Sequence, residues 1–244
     1  MAEYEAGTYG ERIADVYDAL YEGRWDTSGA VEMLAELAGS GPALELGIGT
    51  GRLAAPLAER GVDVHGIDTS ERMVAKLREK PGGEKVSVLI GDFAEVGIAG
   101  PFALVFVAVN TLFGLLSQQE QVRCFRNVSD RLKPGGAFVI EAFVPDPARY
   151  TRGGNLECLR VETDLVTLAA TRHDAVSQTL VSQYVVLGEG GIQLYPARLR
   201  YAWPSELDLM AQLAGLRRRE RWAGWRREPF TASSGSHVSV YERP

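Results

Sequence analysis

The stretch from residue 43 to 53, ALELGIGTGRL, most constrains the fold of this chain, because a short apolar strand runs directly into a glycine-rich turn. Gly47, Gly49 and Gly51 occupy alternate positions, so the backbone can turn sharply and approach a ligand without intervening side chains. The helix that follows begins with unpaired N–H groups, which favour anionic ligands. This pattern predicts a strand, turn and helix that hold a nucleotide.

Downstream of this turn, apolar strands alternate with amphipathic helices. Further strands are predicted at residues 62–68, 86–90, 103–109 and 137–141. The third of these is nearly all apolar, as is typical of a parallel strand that is buried on both faces. Four strand-to-helix alternations that end on a fifth strand predict a doubly wound α/β sheet, with ligands at the carboxyl ends of its strands.

The flanking segments have different periodicities. Amphipathic helices are predicted at about 10–21 and 28–38, before the core. After the core, alternating strands predict an antiparallel β insert, at residues 157–162, 165–173, 180–187 and 192–201. A helix from Pro204 and two strands, near 216–222 and 237–241, then complete a seven-stranded, mostly parallel sheet. The predicted parts are a helical cap (1–40), a ligand-binding core (41–150), the antiparallel insert (151–203) and a C-terminal helix with two strands (204–244).

Polar side chains follow the predicted strands of the core. Asp68 ends the second strand at the distance from Gly51 at which a βαβ unit brings a carboxylate to a ribose. Asp92 and Phe93 follow the third strand, and Asn110 follows the fourth. These positions predict one binding site along the carboxyl edge of the sheet.

Composition limits the kinds of molecule that this chain is expected to bind. A formal net charge of −6 argues against a nucleic acid, because binding to nucleic acid depends on clustered Lys and Arg, and we therefore expect a small-molecule substrate. Cys124 and Cys158 lack the spacing of a metal site or a disulfide framework, so we expect no metal and a reducing compartment. Neither a leader-like N-terminus nor an apolar run of membrane-spanning length is present, and we expect a cytoplasmic protein without a membrane partner.

The order of these motifs resembles the class I methyltransferases that depend on S-adenosylmethionine (SAM). Their first motif has the form ELGxGTG, and their loop before the fifth strand commonly reads LKPGG, as at Leu132–Gly136. NAD-binding folds have no regular equivalent of that loop, and Arg52 stands where their third glycine is expected. The resemblance implies a Rossmann-like fold, SAM as cofactor and S-adenosylhomocysteine (SAH) as product.

Within that family, the chain is similar to the nucleotide-sugar N-methyltransferases of antibiotic biosynthesis. The similarity lies in the segment Asp15–Arg24 and in the position of the antiparallel insert. It implies in-line methyl transfer to a nitrogen or oxygen of a small metabolite, such as an amino sugar or another natural-product intermediate. A homodimer is a further possibility.

The resemblance also assigns the cofactor site. Asp68 would hold the ribose hydroxyls and Asp92 the adenine amine, while Phe93 and Met73 would cover the adenine ring. Tyr21 and Arg24 would reach the methionine carboxylate, with which a guanidinium pairs bidentately. The full set of expected cofactor-binding residues is Tyr21, Arg24, Glu45, Gly47, Gly49, Gly51, Asp68, Thr69, Met73, Asp92, Phe93 and Asn110.

Candidates for catalysis and substrate binding come mainly from the insert. His173 is the candidate general base, and its alternative is an exposed polar strand end. The expected substrate-binding residues are Tyr17, Asn110, Tyr184, Arg198, Arg200 and Tyr201. The two arginines suit a carboxylate or phosphate, and their alternative is a solvent-exposed position.

Two other functions fit parts of the pattern. The same strand, turn and helix occur in nicotinamide-dependent oxidoreductases. A non-catalytic protein that binds SAM for sensing or assembly also needs the glycine turn and Asp68.

Overall fold

The computed structural model describes residues 4–244, apart from the side chain of residue 152. Its strands are β1 (Ala43–Leu46), β2 (Val64–Asp68), β3 (Ser87–Ile90), β4 (Phe102–Val107), β5 (Leu132–Phe143), β6 (Gly154–Val161), β7 (Leu165–Asp174), β8 (Thr179–Gly188), β9 (Gly191–Arg200), β10 (Arg217–Trp222) and β11 (Ser236–Glu242).

The helices lie before, between and after these strands. They are α1 (Thr8–Ile13), α2 (Tyr17–Tyr21), α3 (Thr27–Ala38), α4 (Ala54–Glu59), α5 (Glu71–Arg78), α6 (Gln118–Arg131) and α7 (Pro204–Leu213). Within the described range, none of the helices has the length and apolar character needed to cross a membrane.

The central sheet has seven strands in the order β10-β11-β5-β4-β1-β2-β3. The five strands from β5 to β3 pair in parallel, and β11 pairs antiparallel with both β5 and β10. Every residue of β4 is buried, which agrees with its apolar sequence. The predicted doubly wound, mostly parallel sheet is confirmed.

The N-terminal segment differs from the single helix predicted for residues 10–21, and that prediction is wrong. The chain forms two short helices, α1 and α2, separated by a turn at residues 14–16. Asp15 in this turn pairs with Arg72 of α5, and Asp18 of α2 pairs with Lys80 beyond α5. These partly exposed ion pairs link the two helices to α5 and the residues after it, and buried Ile13 and Ala14 pack with Met73 of α5. Apolar periodicity alone does not reveal the break.

The segment Leu132–Gly136, predicted as a loop, forms the first part of β5 instead. Leu132 pairs with Phe102, and the register then shifts before Ala137 pairs with Leu104. Gly135 accommodates the irregularity with a positive φ of 74°, and its N–H donates to the carbonyl oxygen of Arg243. The glycines therefore bend a strand rather than end a loop.

The insert is the separate four-stranded antiparallel sheet β6-β7-β8-β9. A turn at residues 188–191 joins β8 to β9, as predicted. The inner face of the insert sheet carries Val186 and Tyr195, which pack with Ile13 and Ala14 of the N-terminal segment. The N-terminal helices therefore lie between the insert and the central sheet.

Candidate active site

A cavity of about 590 Å³ lies at the carboxyl edge of the parallel strands. The turns after β1, β2, β3 and β4 form one wall, the N-terminal helices form the second, and the inner side of the insert sheet forms the third. Its volume lies in the range of about 300–1,000 Å³ that is typical of small-molecule sites. The position is the one at which doubly wound sheets bind their ligands.

The glycine turn after β1 brings bare backbone to this cavity. Gly47 and Gly49 have φ values of +69° and +56°, in the left-handed region that disfavours side chains. A Cβ on Gly47 would lie 2.3 Å from Cγ2 of Thr111, whereas a Cβ on Gly49 would meet no protein atom within 4 Å. Gly49 therefore faces open space in which a ligand fits.

The Asp68 carboxylate joins this turn to the end of β2. Its Oδ2 accepts a hydrogen bond from the Gly49 N–H at 2.7 Å, and its Oδ1 accepts one from the Ser70 N–H at 2.8 Å. Burial raises the pKa of Asp68, and these N–H donors partly offset that rise. Asp68 lines the cavity and also fixes the backbone that surrounds it.

The turns after β3 and β4 complete the sheet side of the cavity. Asp92 accepts a hydrogen bond from the Ala94 N–H at 2.8 Å, and Phe93 lines the cavity beside it. Val109 and Asn110 have φ values of 49° and 63°, and a positive φ is rare for a β-branched residue. Such strain concentrates at functional sites, and both residues line the cavity.

Aromatic side chains form the wall contributed by the N-terminal segment. The Tyr21 and Trp25 rings stack with centroids 4.7 Å apart, and the Tyr9 and Tyr21 hydroxyl oxygens are 2.9 Å apart. Tyr184 of β8 faces Tyr9 with ring centroids 6.4 Å apart. Burial raises the pKa of each of these tyrosines, so their hydroxyls stay protonated at neutral pH. The Arg24 guanidinium lies 5.9 Å from the centre of the Tyr21 ring.

Most residues predicted for the site line this one cavity. They are Tyr17, Tyr21, Arg24, Gly47, Gly49, Asp68, Thr69, Met73, Asp92, Phe93, Asn110, Tyr184 and Arg198. Their convergence is a geometric finding, whereas the contacts that each makes with a ligand remain predictions.

Three predicted residues of the insert, His173, Arg200 and Tyr201, lie outside the lining of the cavity. His173 is at the far end of β7, where its Nε2 is 2.9 Å from the Tyr201 hydroxyl oxygen and its ring packs against Tyr150. Arg200 is buried and donates to Gln121 and Glu206, each at 2.7 Å. This arrangement joins the insert to α6 and α7, so Arg200 has a structural partner instead of an open site.

Two predicted residues of the glycine motif also lie outside the lining. Glu45 is buried within β1, and this burial raises its pKa to about 8. A Cβ on Gly51 would lie 2.6 Å from Cγ of Leu77, so this glycine allows close packing of the turn against α5. Glu45 and Gly51 therefore support the turn on the side away from the cavity, while Gly47 and Gly49 line the cavity.

Sequence reasoning missed several lining residues, including Tyr4, Tyr9, Trp25, Leu116 and Glu120. Helical periodicity places Tyr9 only on the apolar face of the first predicted helix. The available signal was the recurrence of tyrosine at positions 9, 17 and 21 of one amphipathic segment, since tyrosine combines an apolar ring with a polar end.

A second, smaller cavity of about 260 Å³ lies between α2 and the insert sheet. It shares Tyr21, Arg24 and Tyr184 with the larger cavity. Thr167 of β7 also lines it, and the buried Thr167 hydroxyl has no hydrogen-bond partner among the described residues. The same part of the chain contains no group of three or more His, Cys, Asp or Glu residues suited to a metal ion.

The sequence and the fold match those of known methyltransferases. A family model described as a methyltransferase domain matches residues 43–136. The chain is 31% identical over 204 residues to the cypemycin N-terminal methyltransferase of a Streptomyces species, and the match covers 82% of each protein. The chain belongs to the methyltransferase family.

Solved structures agree with this assignment. The CcbJ methyltransferase from Streptomyces caelestis has a TM-score of 0.93 and 46% sequence identity, with 98% of this chain and 99% of that chain covered. The SAM-bound amino pentose methyltransferase CalS10 from Micromonospora echinaspora has the same fold, with a TM-score of 0.70, 20% identity and coverage of 94% and 97%. These relatives are all methyltransferases, so the comparisons give no support to the nicotinamide-dependent alternative.

Proposed function

We propose that this protein transfers a methyl group from SAM to an amine nitrogen of a small molecule. The convergence of the Gly47–Gly49 turn, Asp68 and Asp92 on one cavity carries the proposal, because it offers bare backbone and two carboxylates to one bound nucleoside. Membership of the methyltransferase family supports the reaction class.

The residues present fit the cofactor. The open space at Gly49 accepts the amino-acid end of SAM, and the Asp68 carboxylate, already oriented by two N–H groups, retains lone pairs for ribose hydroxyls. Asp92 suits the adenine amine, and Phe93 and Met73 suit its ring. The exposed Arg24 guanidinium suits the carboxylate of the methionine portion.

SAM supplies a methyl group on a positively charged sulfur, which is a strong electrophile. The protein therefore has to align the acceptor and exclude water, and it needs little acid–base machinery. The aromatic wall of Tyr9, Tyr21 and Trp25 suits this charge, because aromatic faces attract cations. The protonated tyrosine hydroxyls cannot act as bases, but their oxygens accept hydrogen bonds from an amine.

Two observations favour nitrogen over oxygen as the acceptor. A neutral amine has a free lone pair, whereas a hydroxyl must lose its proton, and His173, the candidate base, lies outside the cavity. The name of the cypemycin N-terminal methyltransferase also indicates an amine acceptor. We infer that an amine-bearing natural-product intermediate reaches the methyl group through the smaller cavity, past Tyr21 and Tyr184.

Binding and turnover test this proposal separately. Purified protein should bind SAH but not NADH in a calorimetric titration, and deuterated SAM should yield a product heavier by one labelled methyl group in a panel of amines. A folded protein that binds no SAH contradicts the cofactor assignment. Binding without transfer to any amine in an extract of the source favours the non-catalytic alternative, and transfer to a hydroxyl corrects the acceptor atom.

A further inference from the structure

The strained turn after β4 is held by a residue outside the cavity. The parallel pairing of β4 with β5 ends at Val107, so the N–H groups of Val109 and Asn110 lie beyond the ladder. Glu141 of β5 satisfies both: its Oε2 accepts from the Val109 N–H at 2.9 Å, and its carbonyl oxygen accepts from the Asn110 N–H at 3.1 Å. Two residues that line the cavity therefore depend on one residue that does not line it.

The turn held by Glu141 packs against the glycine turn. The side chain of Asn110 ties it further to β5, since its Oδ1 accepts from the Phe143 N–H at 2.7 Å. The next residue, Thr111, is the one whose Cγ2 would lie 2.3 Å from a Cβ on Gly47. A shift of this turn would therefore displace Thr111 from Gly47 and change the shape of the cavity between them.

A tryptophan far along the chain orients the Glu141 carboxylate. The Trp225 side chain is buried, and its Nε1–H donates to Oε1 of Glu141 at 2.8 Å. The two carboxylate oxygens thus accept from two different donors, the Val109 N–H and the Trp225 indole. This arrangement needs a carboxylate, because a carboxamide offers one oxygen and would point its NH2 group at the second donor.

The strain in the turn and the hydrogen bonds that hold it are of similar size. A β-branched residue in the left-handed region, such as Val109, costs a free energy comparable to that of one hydrogen bond to a charged group. Without the Glu141 carboxylate, the turn would therefore populate other conformations. A ligand that needs the held conformation then binds more weakly, in proportion to the fraction of molecules that have left it.

We propose that Glu141 and Trp225 are positioning residues for methyl transfer. Trp225 orients the Glu141 carboxylate, and this carboxylate holds Val109 and Asn110 in the conformation that shapes the cavity. The inference rests on the proposed function, because it requires that the cavity holds SAM. Neither Glu141 nor Trp225 lines the cavity, and both act through the turn after β4.

Hydrogen–deuterium exchange of the ligand-free protein tests the hold on the turn. Glu141→Gln leaves one oxygen for two N–H donors, so the Val109 amide should exchange about tenfold faster than in the wild type. Adding Trp225→Phe should slow the exchange again, because the Gln oxygen is then free to accept from Val109. The matched control is Trp222→Phe, which removes an indole donor to Glu220 and should leave the exchange unchanged.

Calorimetric titration with SAH connects the turn to the site. Glu141→Gln should weaken SAH binding about tenfold, the double variant should recover most of that loss, and Trp222→Phe should match the wild type. Scanning calorimetry establishes that each variant is folded at the temperature of the titration. Such a recovery is not expected of residues that only stabilise the fold, because Trp225→Phe removes a buried ring.

Three results overturn the proposal: unchanged exchange in Glu141→Gln, faster exchange with unchanged SAH affinity, or a folded double variant that recovers neither quantity. A wild type that binds no SAH overturns the proposed function, and the role in methyl transfer falls with it. The exchange pattern of the ligand-free variants distinguishes that failure, because it reports separately whether Glu141 and Trp225 hold the turn.

Discussion

The substitution Asp68→Asn tests the central assignment of the site. It preserves the size of the side chain but replaces one carboxylate oxygen by an NH2 group, which cannot accept from Gly49 or Ser70. Since a hydrogen bond to a charged group contributes about 1.5–3 kcal/mol, the free energy of unfolding should fall by about that amount. The loss of one such bond to a ribose hydroxyl should also weaken SAH binding by about 10- to 150-fold.

Two measurements separate these effects. Urea denaturation reports the loss of stability, and calorimetric titration with SAH reports the loss of affinity in the folded protein. The matched control is Asp63→Asn, which makes the same chemical change at a 72% exposed side chain before β2 and should alter neither quantity. Lower stability with unchanged SAH affinity would refute the ribose assignment and leave Asp68 as a residue that only positions the glycine turn.

Burial raises the pKa of Glu45 from 4.5 to about 8, so between these pH values the wild type loses stability as pH rises. Between pH 5.5 and 8.5, the free energy of unfolding of Glu45→Gln, measured by denaturation, should therefore gain about 3 kcal/mol relative to that of the wild type. Gly49→Ala should weaken SAH binding more than it lowers stability, because its Cβ enters the open space of the cavity, whereas Gly47→Ala should mainly lower the melting temperature, because its Cβ meets Thr111. Titration calorimetry measures the affinity and scanning calorimetry measures the melting temperature. Arg200→Met should cost about 3–5 kcal/mol in urea denaturation, because Glu206 loses its buried partner, with SAH affinity unchanged.

The central sheet and the sheet side of the cavity were predictable because they depend on local signals. Asp68 ends β2 and Asp92 follows β3, and parallel strands bring their carboxyl ends to the same edge of a sheet regardless of the conformation of the loops. The hairpin between β8 and β9 was also predictable, since the glycine-rich turn at residues 188–191 marks it. Apolar runs thus identify the core strands, and the ends of those strands identify the site.

The remaining features depend on contacts between residues far apart in sequence. The position of His173 relative to the cavity depends on how the whole insert is oriented, and the buried partners of Arg200 come from α6 and α7. The break between α1 and α2 depends on ion pairs with residues after β2. Strand β7 contains the run Leu165-Val166-Thr167-Leu168, which is apolar on both faces, so its sequence does not distinguish the buried face from the exposed one.

The insert leaves the central sheet after β5 and returns before α7, as one continuous stretch of chain. In the proposed function, the donor is held by turns of the central sheet, whereas the insert contributes Tyr184 and Leu199 to the wall that meets the acceptor. Choice of acceptor can therefore evolve, or be engineered, by exchanging this single stretch between relatives. The Arg200–Glu206 pair marks the junction at which such a chimera has to match its host.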